Sequence, residues 1–154
     1  MRVVLVVAML AALARGISAQ TSEDTAALHW TAVPSHLPAG AQVAIVSGDP
    51  AKPVLTTADL MMPDCYTMPA HFHPVDEQVE VLEGTLLIGV GDVMDPGKAM
   101  QANLGDATML HPGTQHYFIA KGRTRVRVTF MGPYTVTYVG VDHTAGEVLY
   151  PFGH

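Results

Sequence analysis

The chain has 154 residues, 49% of them apolar and 14% charged, with 14 glycines and 11 prolines. That length suits one domain with a real core, and the low charge excludes an intrinsically disordered chain. Eight basic against fourteen acidic groups give a net charge of −6, which excludes a nucleic-acid binder that needs a basic face and makes an anionic membrane surface an unsuitable partner. The single cysteine, Cys65, forms no internal disulfide, so no disulfide framework supports the fold.

In chain order, Met1-Arg2 reads as a short basic start and Val3 to Leu13 as an unbroken apolar run, too short to span a bilayer. Gly16-Ile17-Ser18-Ala19 supplies small residues for cleavage. Residues 1–19 are therefore expected to be a signal peptide cut after Ala19, with a cut after Ala14 as the alternative. The mature protein is then exported, periplasmic or secreted, with no membrane association. Losing Arg2 and Arg15 takes the net charge from −6 to −8. Residues 20–35 are polar and unpatterned, which predicts a loose leader before a single domain over 36–154.

From there the sequence predicts an all-β sandwich or barrel. Gln42 to Ser47, Val54 to Met61, Gln78 to Leu82, Thr85 to Val90, Arg123 to Phe130 and Tyr134 to Val141 are short runs rich in β-formers. Glu83-Gly84, Asp95-Pro96-Gly97, Lys121-Gly122 and Gly132-Pro133 read as punctuation between them. Pro96 to Gln101 is the one helix-like stretch, a single turn at most. Arg123, Arg125 and Arg127 alternate with Val126 and Val128, which predicts a basic stripe on one solvated strand face.

The chemistry lies in Met68 to Glu77. Alternate strand residues share a face, so His71 and His73 project together, and Glu77 keeps that parity. A second segment, Gly105 to His116, ends in Pro112-Gly113-Thr114-Gln115-His116 and can bring His116 to the same place. Three imidazoles and a carboxylate suit a divalent transition metal, Fe, Mn, Ni or Zn, and leave two positions open on a six-coordinate ion. Tyr66, Phe72, Met109 and Phe118 are candidate pocket walls, with Phe118 in parity with His116. Met61, Met62, Met68 and Met109 also suit irregular core space. His111 is read as a rim residue, while His29, His36, His143 and His154 are read as surface residues. Cys65 is read as a buried structural thiol rather than a reactive one.

These motifs resemble those of the cupin superfamily. His71-Phe72-His73, Glu77 and Gly84 fit its first motif, and Gly105, Gly113 and His116 fit the spacing of its second. Cys65 stands where the first motif often opens with Gly, His111 where the second has Pro, and Ala120 where it closes with Asn. The resemblance implies a single-domain jelly-roll β-barrel, metal ligation by His71, His73, Glu77 and His116, and a homodimer. It also implies oxidative, decarboxylating, isomerase or lyase chemistry on a small molecule, as in dioxygenases and oxalate-degrading enzymes. Glu77 is the candidate acid/base, with Tyr66 and Asp64 weaker ones. The competing readings are a non-catalytic exported binding or sensor protein and a structural jelly roll with a vestigial metal.

Overall fold

A computed structural model of the protein describes residues 27–140. Nine strands order themselves as β1 (Thr31–Ala32), β2 (Gln42–Ser47), β3 (Leu55–Met62), β4 (Thr67–Phe72), β5 (Glu77–Val90), β6 (Met100–Asn103), β7 (Ala107–Leu110), β8 (His116–Met131) and β9 (Thr137–Tyr138). All pairings are antiparallel, and the sheet curls through β1-β2-β3-β8-β4-β9 with β5 joining β6, β7 and β8. The predicted all-β class holds, and no helical element occurs among the described residues.

The backbone of the fold is the pairing of β5 with β8, from Glu77↔Phe130 at one end to Val90↔His116 at the other. The sequence reading places turns at Glu83-Gly84 and Lys121-Gly122, but both strands run through these points. Their register shifts there instead, between Val81 and Thr85. Gly84 and Gly122 have φ of 76° and 73°, so they bend the paired strands where a turn would separate them. A Cβ on Gly84 would meet the Arg123 carbonyl oxygen at 2.3 Å, so Gly is required for the close approach as well as the φ.

Two other expectations change. Thr31–Ala32, inside the segment read as a loose leader, pairs with Val43 and Gln42, and Val33 packs against the core. Residues 1–26, which carry the signal-peptide expectation, lie outside the described residues. Pro96 to Gln101 holds one turn, closed by Lys98 N donating to the Asp95 carbonyl at 2.9 Å and Gly97 N to the Asp95 carboxylate at 3.0 Å, after which Met100 pairs with Ile88. Cys65 is exposed and lies in the left-handed region at φ 61°. The tight β3–β4 turn demands that conformation at the very position where the resembled motif has Gly.

One sheet face closes on a core of Ala58, Leu60, Met62, Met68, Val79, Val81, Leu86, Ile88, Phe118 and Val126, among others. On the opposite face the arginine stripe is not solvated. Asp59 is fully buried; Arg125 Nε donates to its Oδ2 at 2.9 Å, and Arg127 Nε to its Oδ1 at 2.8 Å. The Arg125 guanidinium also lies 5.9 Å from the Trp30 ring centroid. Arg127 stands opposite Asp59 in the register, so the alternation set the face correctly while its counter-charge came from another strand. Arg123 alone stays largely exposed, 3.9 Å from Glu83.

Candidate metal centre

His71 is the fifth residue of β4, His73 follows that strand, Glu77 opens β5 and His116 opens β8. His71 and His116 are register partners across β4 and β8, so both side chains share the inner face. The two motif loops are tied together where Gly113 N donates to the His73 carbonyl at 2.8 Å. The positive φ of Gly113, 76°, lets the second loop turn sharply enough to do so.

The three rings converge. Centroids lie 4.2 Å apart for His71 and His116, 4.9 Å for His71 and His73, and 5.2 Å for His73 and His116. One nitrogen from each falls within 4.8 Å of the others, a grouping that can hold a metal ion. Glu77 Oε2 lies 3.6 Å from His73 Nε2 and 3.5 Å from His116 Nε2. All four side chains are at most 2% exposed.

Tautomers follow from the hydrogen bonds. His71 Nδ1 faces the Pro69 carbonyl at 2.7 Å, His73 Nδ1 that of Thr135 at 2.7 Å, and His116 Nδ1 that of Thr114 at 2.8 Å. A carbonyl only accepts, so each Nδ1 carries the proton and donates. The Nε2 lone pairs are thereby turned inward. Those of His71 and His116, with Glu77 Oε2, are buried without a hydrogen-bond partner. Buried acceptors normally find a donor; two of these belong to the clustered imidazoles and the third lies 3.5 Å from His116 Nε2, which fits a cation as the missing partner. Carbonyl-anchored Nδ1 protons are also the usual support for metal-bound imidazoles.

The titration behaviour agrees. Burial, followed by the neighbouring His116 and His73, pushes His71 down to about 3, and burial lowers His73. Both rings are therefore neutral, as ligation requires. Burial raises Glu77, but His73, His116 and a bond from Tyr134 outweigh it and hold the carboxyl at about 2.

Tyr134 is the residue that sequence reasoning missed. Its hydroxyl donates to Glu77 Oε1 at 2.5 Å and lies 3.0 Å from His73 Nε2, with its ring stacked on His73 at 4.4 Å. One hydroxyl proton faces two acceptors, and the carboxylate is the stronger. Tyr138 pairs with His71 in the register and sits 6.0 Å from it, ring to ring. Tyr134, Val136 and Tyr138 alternate in parity, which was the available signal for an inner aromatic face after Gly132-Pro133.

The candidate walls divide. Phe118 does flank the centre, 5.2 Å from His116 and 5.9 Å from His71. Tyr66 is buried in the core, its hydroxyl donating to the Pro38 carbonyl at 2.7 Å. Phe72 falls on the other side of β4, because it alternates with His71. Met109 is 47% exposed on β7, opposite Gln78 and so on the other face of the sheet from Glu77. Asp64 is spent on Gly122 N at 2.7 Å, away from the histidines. His111 is exposed and bonded to Asp76 at 2.8 Å, as expected of a rim residue. His29 is exposed, whereas His36 is half-buried and its pKa lowered by that burial, a departure from the surface reading. His143 and His154 lie outside the described residues.

The fold matches known structures. An RmlC-like cupin from Shewanella frigidimarina superimposes with a TM-score of 0.56 at 15% identity, over 70% of this chain and 86% of that one. The chain has the cupin fold. Two further cupin-fold neighbours are an acetylacetone dioxygenase from Acinetobacter johnsonii and the polyketide cyclase RemF from Streptomyces resistomycificus. The first has a TM-score of 0.59 at 17% identity, covering 79% of this chain and 77% of that one. The second has 0.58 at 16%, covering 76% and 83%. No protein-family model and no curated protein sequence matches this chain.

Proposed function

We propose that this cupin binds a divalent transition metal through His71, His73, Glu77 and His116 and acts as a metalloenzyme on a small organic molecule. The observation that carries the reading is the three-histidine cluster, with His71 Nε2, His116 Nε2 and the adjacent Glu77 Oε2 all buried without a hydrogen-bond partner. Fe, Mn, Ni and Zn all accept such a nitrogen and oxygen set. When bound, the metal supplies a Lewis acid for a coordinated oxygen. The chain's own part is orientation and exclusion of water. Three backbone carbonyls lock the rings, Tyr134 holds one Glu77 oxygen so that the other faces inward, and Phe118 keeps one wall dry. Fold neighbours that include a dioxygenase and a cyclase support an enzymatic reading, and oxidative, decarboxylating, isomerase and lyase chemistry all remain within it.

Elemental analysis of the purified protein tests the metal, and a substrate screen with metal exchange tests turnover. A second reading, a non-catalytic binding or sensor cupin, is favoured by one observation. Among the described residues Glu77 is the sole buried carboxylate at the centre; Asp59, also buried, is taken up by Arg125 and Arg127 on the other face. No separate carboxylate base stands beside the ligands. Stoichiometric metal without turnover for any substrate would decide for it.

The same reading includes export, with residues 1–19 as the signal, and assembly as a homodimer. The Arg2 and Val3 to Leu13 pattern supports the first. Mass spectrometry of secreted protein beginning at Gln20, and light scattering of the mature chain, test the two.

A further inference from the structure

The strand register lays the inner face out in rows, because cross-strand partners share a face. Val90↔His116, His116↔His71 and His71↔Tyr138 form one row across β5, β8, β4 and β9. The row beneath is wholly apolar: Met100, Ile88, Phe118 and Met68. At the β5 edge both rows reach solvent, with Val90 72% and Met100 56% exposed. At the far end the Tyr138 hydroxyl is buried without a hydrogen-bond partner.

Every Lys and Arg among the described residues is committed elsewhere. Lys52 lies 2.7 Å from Asp49, Lys98 3.1 Å from Asp95, and Lys121 donates to Gln101 at 3.1 Å. Arg123 faces Glu83, and Arg125 and Arg127 share Asp59 on the opposite face of the sheet. No cationic side chain among the described residues therefore accompanies the metal ligands. Three neutral imidazoles and one carboxylate around a divalent ion leave a single net positive charge. A singly charged ligand cancels it, whereas a dianion leaves a buried negative charge with no side chain to pair it, which is costly.

We infer that the centre takes a singly charged, oxygen-chelating small molecule with an apolar body. The metal and the Tyr138 hydroxyl receive its oxygens, and Val90, Met100, Ile88 and Phe118 receive the body. This rests on the metal-centre reading above and adds to it the class of ligand.

The test uses the full mature protein loaded with Zn²⁺ and two chelators that close the same five-membered ring. Tropolone is a monoanion with an apolar ring; oxalate is a dianion with no apolar part. Metal content is measured first, then both affinities by calorimetry, each divided by that chelator's affinity for aqueous Zn²⁺. The normalised preference should favour tropolone by about tenfold or more, the scale of one buried apolar group or one unpaired charge. Val90→Lys, at an exposed position that leaves the core intact, should shift that preference toward oxalate by about tenfold. Tyr138→Phe should weaken tropolone about fivefold at unchanged metal content, the scale of one hydrogen bond. Loaded protein that prefers oxalate, or a preference indifferent to Val90→Lys, overturns the inference and leaves the metal centre standing. Protein that takes up no metal overturns both.

Discussion

Replacing Tyr134 by Phe removes one oxygen and should be felt in two separable measurements. In the metal-free protein Glu77 Oε2 already lacks a partner, and Oε1 has the Tyr134 hydroxyl. Tyr134→Phe therefore strips the hydrogen-bond donor from a carboxylate that is 2% exposed. A hydrogen bond to a charged group contributes about 1.5–3 kcal/mol. For a domain of roughly 110 residues, each kcal/mol moves Tm by about 3–6 °C, so the variant should melt about 5–15 °C lower in chelator. The ring itself stays, stacked on His73 at 4.4 Å and on Phe130 at 4.1 Å, so packing loss does not contribute. In the second measurement Zn²⁺ affinity, taken by competition with a fluorescent chelator, should fall by about 10–100-fold, as for other residues that orient a metal ligand. Calorimetry in chelator and the competition titration together give both numbers. A Tm within about 2 °C of wild type, with unchanged Zn²⁺ affinity, would show that Glu77 does not depend on Tyr134 and refute the argument.

His71→Ala and His116→Ala should each lose most bound metal, whereas His111→Ala, exposed and paired with Asp76, should keep it; elemental analysis of identically purified proteins reads the difference. Metal-free protein should lose stability as pH falls from about 6.5 toward 3. The unfolded chain protonates histidine near 6.5, while folded His71 stays neutral to about 3. The unfolded state therefore binds more protons throughout that window, at up to ~1.4 kcal/mol per pH unit for this one group. His73 shifts in the same direction, and Glu77, held to about 2 against an ordinary 4.5, adds to the loss below pH 4.5; urea midpoints that stay flat between pH 7 and 4 would contradict this. Asp59→Ala leaves two guanidiniums facing each other at a buried position and should cost about 3–5 kcal/mol in urea unfolding, with the metal content of the folded protein unchanged. Cys65→Gly relieves a left-handed φ of 61° and should stabilise by up to about 1 kcal/mol, the strain relieved less the extra freedom gained by the unfolded chain.

The residues that could be read from the sequence are those whose placement depends on local periodicity. A strand reverses its side chains every residue, so His71 and His73 had to share a face and Phe72 had to leave it, whatever lay opposite. Gly113 and His116 are legible for a similar reason, since the turn and the start of β8 are three residues apart. The runs of β-formers located β2 and β3 to within a residue, and Pro and Gly punctuation helped separate the later elements. It misled at Gly84 and Gly122, because a positive φ is equally good for a turn and for a bulge, and only the neighbouring strand selects between them. Met109 failed as a wall because an apolar residue on a short edge strand can face either way.

Whatever required a partner on a distant strand was decided by the tertiary structure. Tyr134 meets Glu77 across 57 residues of chain, and Arg127 meets Asp59 across 68. The alternation of the arginines set their common face but carried no information about the carboxylate that β3 would place there. The sequence by itself determined an all-β chain with two histidine segments prepared to meet. The curl of β8 between β4 and β5 decided which buried atoms face one another, because hydrogen bonds and charges act over a few ångströms in space while periodicity acts along the chain.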